Sequence, residues 1–180
     1  IFNFDKRKCS GCEIVKLNED LTPEIMDEKK QIISEETAYQ MTSILEGVIK
    51  RGTGKKLKSL NVPLAGKTGT TNNNFDAWFI GFTSNLAIGV YIGYDEPKSL
   101  GKFETGSKAA LPIFKNFIEL ALFKEDLKHF KSPENIYFYP IDYNTGKNSS
   151  FVNKKSIIEA FKQKTLEEIN QKNSNVGENY

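Results

Sequence analysis

The run Ala65-Gly66-Lys67-Thr68-Gly69-Thr70-Thr71 gathers one ammonium and three hydroxyls around two glycines. A Lys ammonium and Thr hydroxyls carried on one strand can hold a carboxylate through charge-assisted hydrogen bonds. Gly69 removes the side chain that would obstruct a peptide laid beside the strand, and the strand edge can then pair with that peptide's backbone. The next backbone N–H, that of Thr70, can face a developing oxyanion. Gly66-Lys67-Thr68 also ends like a Walker A loop, but that loop needs a Gly five positions earlier, where Asn61 stands, and must open into a helix. After Thr68 come Gly, two Thr and three Asn, which oppose helix formation, so the run does not read as a phosphate cradle.

These groups need a strand to hold them, and the flanking sequence supplies one. Pro63 to Thr71 reads as a strand, Asn72-Asn73-Asn74 as a turn, Phe75 to Phe82 as a second strand and Leu86 to Tyr94 as a third. The result is an antiparallel meander. In the third strand Leu86, Ile88, Val90, Ile92 and Tyr94 are large, while Ala87, Gly89 and Gly93 alternate with them, so a helix is expected to lie close over the small face. Upstream, Ser34 can cap a helix in which Glu35 and Glu36 meet the positive dipole end. Ala38, Met41, Leu45 and Val48 recur at helical spacing along it as far as Lys50-Arg51-Gly52. Downstream, Pro112 suits a first turn, and Ala110, Ile113, Phe114, Phe117, Ile118 and Ala121 form an apolar stripe on a helix running to Phe123. Beyond Lys124 the reading is a strand at Ile136 to Tyr139, a turn at Asn144-Thr145-Gly146, a short helix from Ser156 to about Ile169, and a disordered end over Gln171 to Tyr180. The fold expected is α+β, an antiparallel sheet packed by helices.

Composition bounds the function. The chain has 180 residues, a net charge of +2, and 27% charged residues mixed in sign, which gives no basic stripe for nucleic acid and no polybasic membrane arm. Its length fits one domain or a piece of one. Ala77 to Tyr94 carries no charge, but Thr83-Ser84-Asn85 and three glycines break it, so it reads as a hairpin and no membrane segment is expected. The chain opens on Ile1 without Met or a leader, and this is not expected to be a natural start.

The Lys67-Thr68-Gly69 triplet alone arises by chance about 0.1 times in a chain of this composition, so its setting must decide. That setting is ordered: Arg51-Gly52-Thr53-Gly54, then the Lys67 run, then Phe75-Asp76-Ala77-Trp78-Phe79-Ile80-Gly81-Phe82, Gly89-Val90-Tyr91-Ile92-Gly93, and Glu104-Thr105-Gly106 leading to Ala109-Ala110-Leu111-Pro112. In order and spacing the chain resembles the C-terminal part of the transpeptidase domain of class A penicillin-binding proteins, of the 1A type. The resemblance is dense from Ala38 to Phe117 and thins after Lys124. It implies a partial β-lactamase/transpeptidase-like fold and a role in peptidoglycan crosslinking through a serine acyl-enzyme, in proteins that also polymerise glycan. Lys67, Thr68 and Thr70 resemble the groups that bind the carboxylate of a D-Ala-D-Ala stem peptide or a β-lactam. Gly69 resembles the clearance residue, and the Thr70 N–H half of the oxyanion hole. No cofactor and no metal are implied. The implied location is the periplasmic face of the bacterial inner membrane, with an anchor in a missing N-terminal remainder.

The nucleophile of that chemistry is not evident. It needs Ser-x-x-Lys well upstream of the Lys67 strand and Ser-x-Asn between them. Ser99-Leu100-Gly101-Lys102 lies after Lys67, and Ser59-Leu60-Asn61 stands too close before it, so both are assigned to chance. The chain is therefore expected to supply one wall of an active site, to expose part of its core, and to be inactive in isolation. Alternatives are a β-lactamase or D,D-carboxypeptidase fragment and a noncatalytic relic of a split gene. The expected division is a lead-in at 1–33 containing the Cys pair, the transpeptidase portion at 34–123, and a C-terminal extension at 124–180.

Other reactive residues read more plainly. Cys9 and Cys12 lack a second pair for zinc and a strand-to-helix setting for thioredoxin chemistry, leaving a local disulfide or two plain thiols. The location implied by the resemblance favours the disulfide. His129, the single His, sits in a Lys-rich stretch and is not expected to be catalytic. Trp78 and Phe79 are expected in the core, Asp76 in turn hydrogen bonds, and Lys55, Lys56 and Lys58 in a solvated loop.

Overall fold

A computed structural model describes residues 2–3, 7–10, 24–27, 30–121, 128–149, 152, 155–163, 165 and 167. Four short strands come first, β1 (Phe2–Asn3), β2 (Arg7–Ser10), β3 (Glu24–Asp27) and β4 (Lys30–Gln31), pairing antiparallel as β1 with β4 and β2 with β3. The Cys9 side chain and all of Cys12 lie outside the described residues, as does the whole of Gln171 to Tyr180.

Helix α1 (Glu35–Lys50) starts where the sequence places it, with the Ser34 hydroxyl oxygen accepting the Thr37 N–H at 3.3 Å. That hydroxyl also holds the Glu36 carboxyl below its usual range. The buried positions are Gly47 and Ile49, whereas Met41 is half exposed, so the apolar stripe is turned slightly from the expected one. After the helix, Lys55–Leu60 is not a loop but a 3-10 turn that buries Leu57 and Leu60 and leaves its lysines in water.

The meander forms as expected: β5 (Ala65–Thr70), β6 (Ala77–Phe82) and β7 (Ala87–Ile92) lie antiparallel in the order β5-β6-β7. Strand period two splits its side chains between two faces. Ala77, Phe79 and Gly81 of β6 are buried, while Trp78 and Ile80 point outward. Helix α2 (Ala110–Ala121) covers the buried face. It does not take the small face of β7. Ala110, Leu111, Phe114 and Ile118 join Phe79, Ile49, Leu57, Leu60 and Leu64 in the core, with Ile88, Val90 and Ile92 packed against them, while Ala87 and Gly89 stay exposed. Burial of the large side chains decides the face, at about 1.5–3 kcal/mol for each one withdrawn from water. The close approach needed for this comes from Gly81, where a Cβ would lie 2.7 Å from Phe114 Cζ. The Phe79 and Phe114 rings meet edge-on at 4.7 Å there.

After α2 the expected strand and turn are present, and the expected helix is not. Strand β8 (Ile136–Asp142) extends three residues past Tyr139, and Ser156–Lys162 is strand β9 rather than a helix. The two pair in full register from Ile136↔Lys162 to Asp142↔Ser156. Locally, Ile157, Ile158 and Phe161 fit a helical face, but the ladder to β8 and packing on α1 override that preference. The hairpin is tied to α1 by Gln40 Nε2 donating to Ala160 O at 3.1 Å, by Tyr39 edge-on to Phe138, and by the Arg51–Glu159 ion pair. At the end of β8 the Asp142 carboxylate accepts the Thr145 N–H at 2.8 Å, the Thr145 hydroxyl at 2.9 Å and the Asn144 N–H at 3.0 Å, which lowers its pKa. Gly146 takes the left-handed conformation, φ +68°, in that turn.

Candidate functional site

Among the described residues strand β5 is an edge strand, paired with β6 on one side only. Its pairing faces are set by one bond at its end: Thr71 N–H donates to its in-register partner Asp76 O at 3.1 Å. In an antiparallel ladder, hydrogen-bonded and non-hydrogen-bonded pairs alternate. Gly69 and Lys67 are thus turned to β6, and the N–H and C=O groups of Thr68 and Thr70 face the free edge.

Side chains alternate in the other dimension. Lys67 and Gly69 share the outward face with their partners Ile80 and Trp78, whereas Thr68 and Thr70 share the α2 side with Phe79 and Ala77. The ammonium and hydroxyls therefore do not leave the strand in one direction. Lys67 nevertheless reaches the edge, because its Nζ donates to Thr68 O at 2.9 Å. Lys67 is exposed, and none of the ion pairs among the described residues involves it. A carboxylate lying just beyond the edge is thus within reach of the ammonium from one face and the hydroxyls from the other.

Both hydroxyls are already held. Thr68 Oγ1 lies 3.0 Å from Thr53 Oγ1, in the loop after α1. Thr70 Oγ1 accepts the N–H of Gly106 at 3.0 Å, in the loop leading to α2. A hydroxyl that accepts one bond keeps its own proton to donate. Gly106 is pressed so closely on the sheet that a Cβ there would lie 2.3 Å from Trp78 O and 2.5 Å from Gly69 O. Sequence reasoning missed both contacts: Thr53 is marked only by a Gly-Thr-Gly spelling, and Gly106 only by standing shortly before a helix.

The remaining candidates are placed apart from this edge or outside chemistry. Phe79 is buried as expected, but Trp78 is 39% exposed and packs on Tyr91 with the rings tilted and 4.7 Å apart, because alternation admits only one of two neighbours to the core. Asp76 keeps to hydrogen bonding: Tyr91 Oη donates to its carboxylate at 2.9 Å, which raises the phenol pKa. Ser99 donates to Asn73 O at 2.8 Å from a segment without helix, and Ser59 donates to Lys56 O inside the 3-10 turn. His129 is exposed and borders an open groove of about 880 Å³ beside the start of α1, and no contact joins it to Lys67 among the described residues. Among the described residues no cluster of His, Cys, Asp or Glu could hold a metal ion, and no helix is long and apolar enough to cross a membrane.

The family model described as Penicillin binding protein transpeptidase domain matches residues 13–119, more than half of the chain. The chain belongs to that family. Penicillin-binding protein 1A of Rickettsia typhi is 41% identical over 93% of this chain, and that of Pseudomonas aeruginosa 40% identical over 74%. The crystal structure of Penicillin-Binding Protein 1A from Haemophilus influenzae superposes with a TM-score of 0.67 at 30% identity, covering 77% of this chain and 22% of that one. This chain spans about a fifth of the Rickettsia relative's length, 21%. The α+β fold, with its antiparallel meander and flanking helices, is that of a penicillin-binding transpeptidase domain.

Proposed function

We propose that the chain is the C-terminal segment of a peptidoglycan D,D-transpeptidase and supplies the wall of the active site that binds the substrate carboxylate. The observation that carries this reading is the Lys67 ammonium donating to Thr68 O at the strand edge onto which the backbone groups of Thr70 also open. In this reading Lys67, Thr68 and Thr70 bind the terminal carboxylate of a D-Ala-D-Ala stem peptide or a β-lactam, Gly69 leaves clearance beside the strand, and Thr70 N–H lends one donor to the oxyanion. The serine that is acylated lies in the N-terminal remainder, as do the membrane anchor and the glycan-polymerising domain, with the catalytic part on the periplasmic face of the membrane. Residues 34–123 form the transpeptidase portion, preceded by a lead-in at 1–33 and followed by an extension at 124–180. The outward face of the meander supports an incomplete domain, since Ile80 and Tyr91 beside Trp78 are 53% and 50% exposed.

Fluorescent penicillin tests the reading. The protein expressed from its whole natural reading frame is expected to take a covalent label at a serine upstream of residue 1, and the separate 180-residue polypeptide is expected to take none. Labelling of the separate polypeptide at a defined Ser, or no labelling of the whole protein, would overturn it.

A further inference from the structure

Either hydroxyl can donate in the contact between Thr53 and Thr68, and a carboxylate bound at the β5 edge would fix which one does. Their oxygens are 3.0 Å apart, so one of the two protons lies between them. A carboxylate only accepts hydrogen bonds. When Thr68 donates to a carboxylate at the β5 edge, its single proton is committed there, and the bond to Thr53 survives only with Thr53 as donor.

The loop that carries Thr53 is built for close approach. Gly52 and Gly54 N–H both return to Val48 O at 3.0 Å, folding the chain tightly against the end of α1. A Cβ on Gly52 would lie 2.9 Å from Val48 Cα, and one on Gly54 2.8 Å from Ile49 Cδ1. The neighbouring Arg51 is anchored to Glu159 of β9. The two glycines and the ion pair leave Thr53 standing between α1 and β5 with its hydroxyl on Thr68.

We propose that Thr53 is a positioning residue that donates to Thr68 and thereby aims the Thr68 proton at the bound carboxylate. This rests on the carboxylate reading of the β5 edge. Thr53→Val keeps the shape and removes the donor, whereas Thr53→Ser keeps the donor. In the 180-residue chain, three-bond NMR couplings are expected to show one Thr68 χ1 rotamer in the parent and in Thr53→Ser, and rotamer averaging in Thr53→Val. In the protein from the whole reading frame, Thr53→Val is expected to slow acylation by benzylpenicillin about 3- to 10-fold, the loss of one ordinary hydrogen bond. Thr53→Ser is expected to restore the rate, and Thr53→Val to add nothing in a Thr68→Val background. An unchanged Thr68 rotamer in Thr53→Val, or equal slowing in the Thr68→Val background, would overturn the proposal. Absence of acylation in the parent would instead fault the proposed function, while the rotamer measurement still decides whether Thr53 holds Thr68.

Discussion

Gly106 joins fold to site, and replacing it gives a sharp test of how closely its loop packs on the sheet. A Cβ at Gly106 would sit 2.3 Å from Trp78 O and 2.5 Å from Gly69 O, both backbone atoms of a paired rung that cannot rotate away. The loop must move by roughly 1 Å to reach ordinary contact, and overpacking of this kind costs about 1–3 kcal/mol. That movement also takes the Gly106 N–H from Thr70 Oγ1, now at 3.0 Å, for about 1 kcal/mol more. Gly106→Ala is therefore expected to lose about 2–4 kcal/mol. For a chain of this size that lowers Tm by about 5–15 °C, read by circular dichroism. Gly89→Ala is the control, because its nearest heavy atom would be Ile80 Cγ1 at 3.9 Å. It is expected to stay within about 0.5 kcal/mol of the parent. A Gly106→Ala protein that melts with the parent, or a Gly89→Ala protein that falls as far, would refute the close packing of this loop on β5 and β6.

Phe114→Ala is expected to cost about 3–5 kcal/mol in urea unfolding, since it empties the space between Phe79 and Gly81; a loss below about 1 kcal/mol would deny that the ring is central to the core. Ser34→Ala should cost about 1 kcal/mol as a lost cap and should raise the Glu36 pKa toward its ordinary value, followed by NMR titration; an unmoved Glu36 would contradict the contact. Burial raises the Glu159 pKa more than the attraction of Arg51 and Lys50 lowers it. The folded carboxyl thus holds its proton to higher pH than the unfolded one, and its contribution to stability is present at acid pH and lost as pH rises through its folded pKa. Against Glu159→Gln, which does not titrate, the parent is expected to gain in Tm as pH falls from neutrality through the carboxylate range, and a relative loss would reverse the sign.

What could be read from the sequence was local. Ser34, the two glutamates behind it and a glycine past Lys50 mark α1, and the Asn-rich turn with alternating flanks marks the meander, because caps, turns and period-two strands are written in neighbouring residues. The strand under the Lys67 run was legible for a similar reason, and the chemistry proposed for it rests on the same few positions. What escaped depends on partners far along the chain. Ser156–Lys162 became a strand through Ile136–Asp142, and α2 took the large face of β7 because Gly81, on another strand, made room for Phe114. Thr53 and Gly106 meet Thr68 and Thr70 across 15 and 36 residues, and neither contact has a local signature. Alternation also parts Lys67 from the hydroxyls, and only the return of its ammonium to Thr68 O brings the groups back to one edge.

Whether this edge holds an anionic peptide end is tested most directly by acylation rates of the protein from the whole reading frame. Lys67→Ala removes a charge-assisted bond of about 1.5–3 kcal/mol, or roughly 10- to 150-fold in rate, and this should appear with benzylpenicillin but largely vanish with its uncharged carboxyl methyl ester. Equal slowing toward both compounds, or no slowing toward either, would contradict carboxylate binding at Lys67.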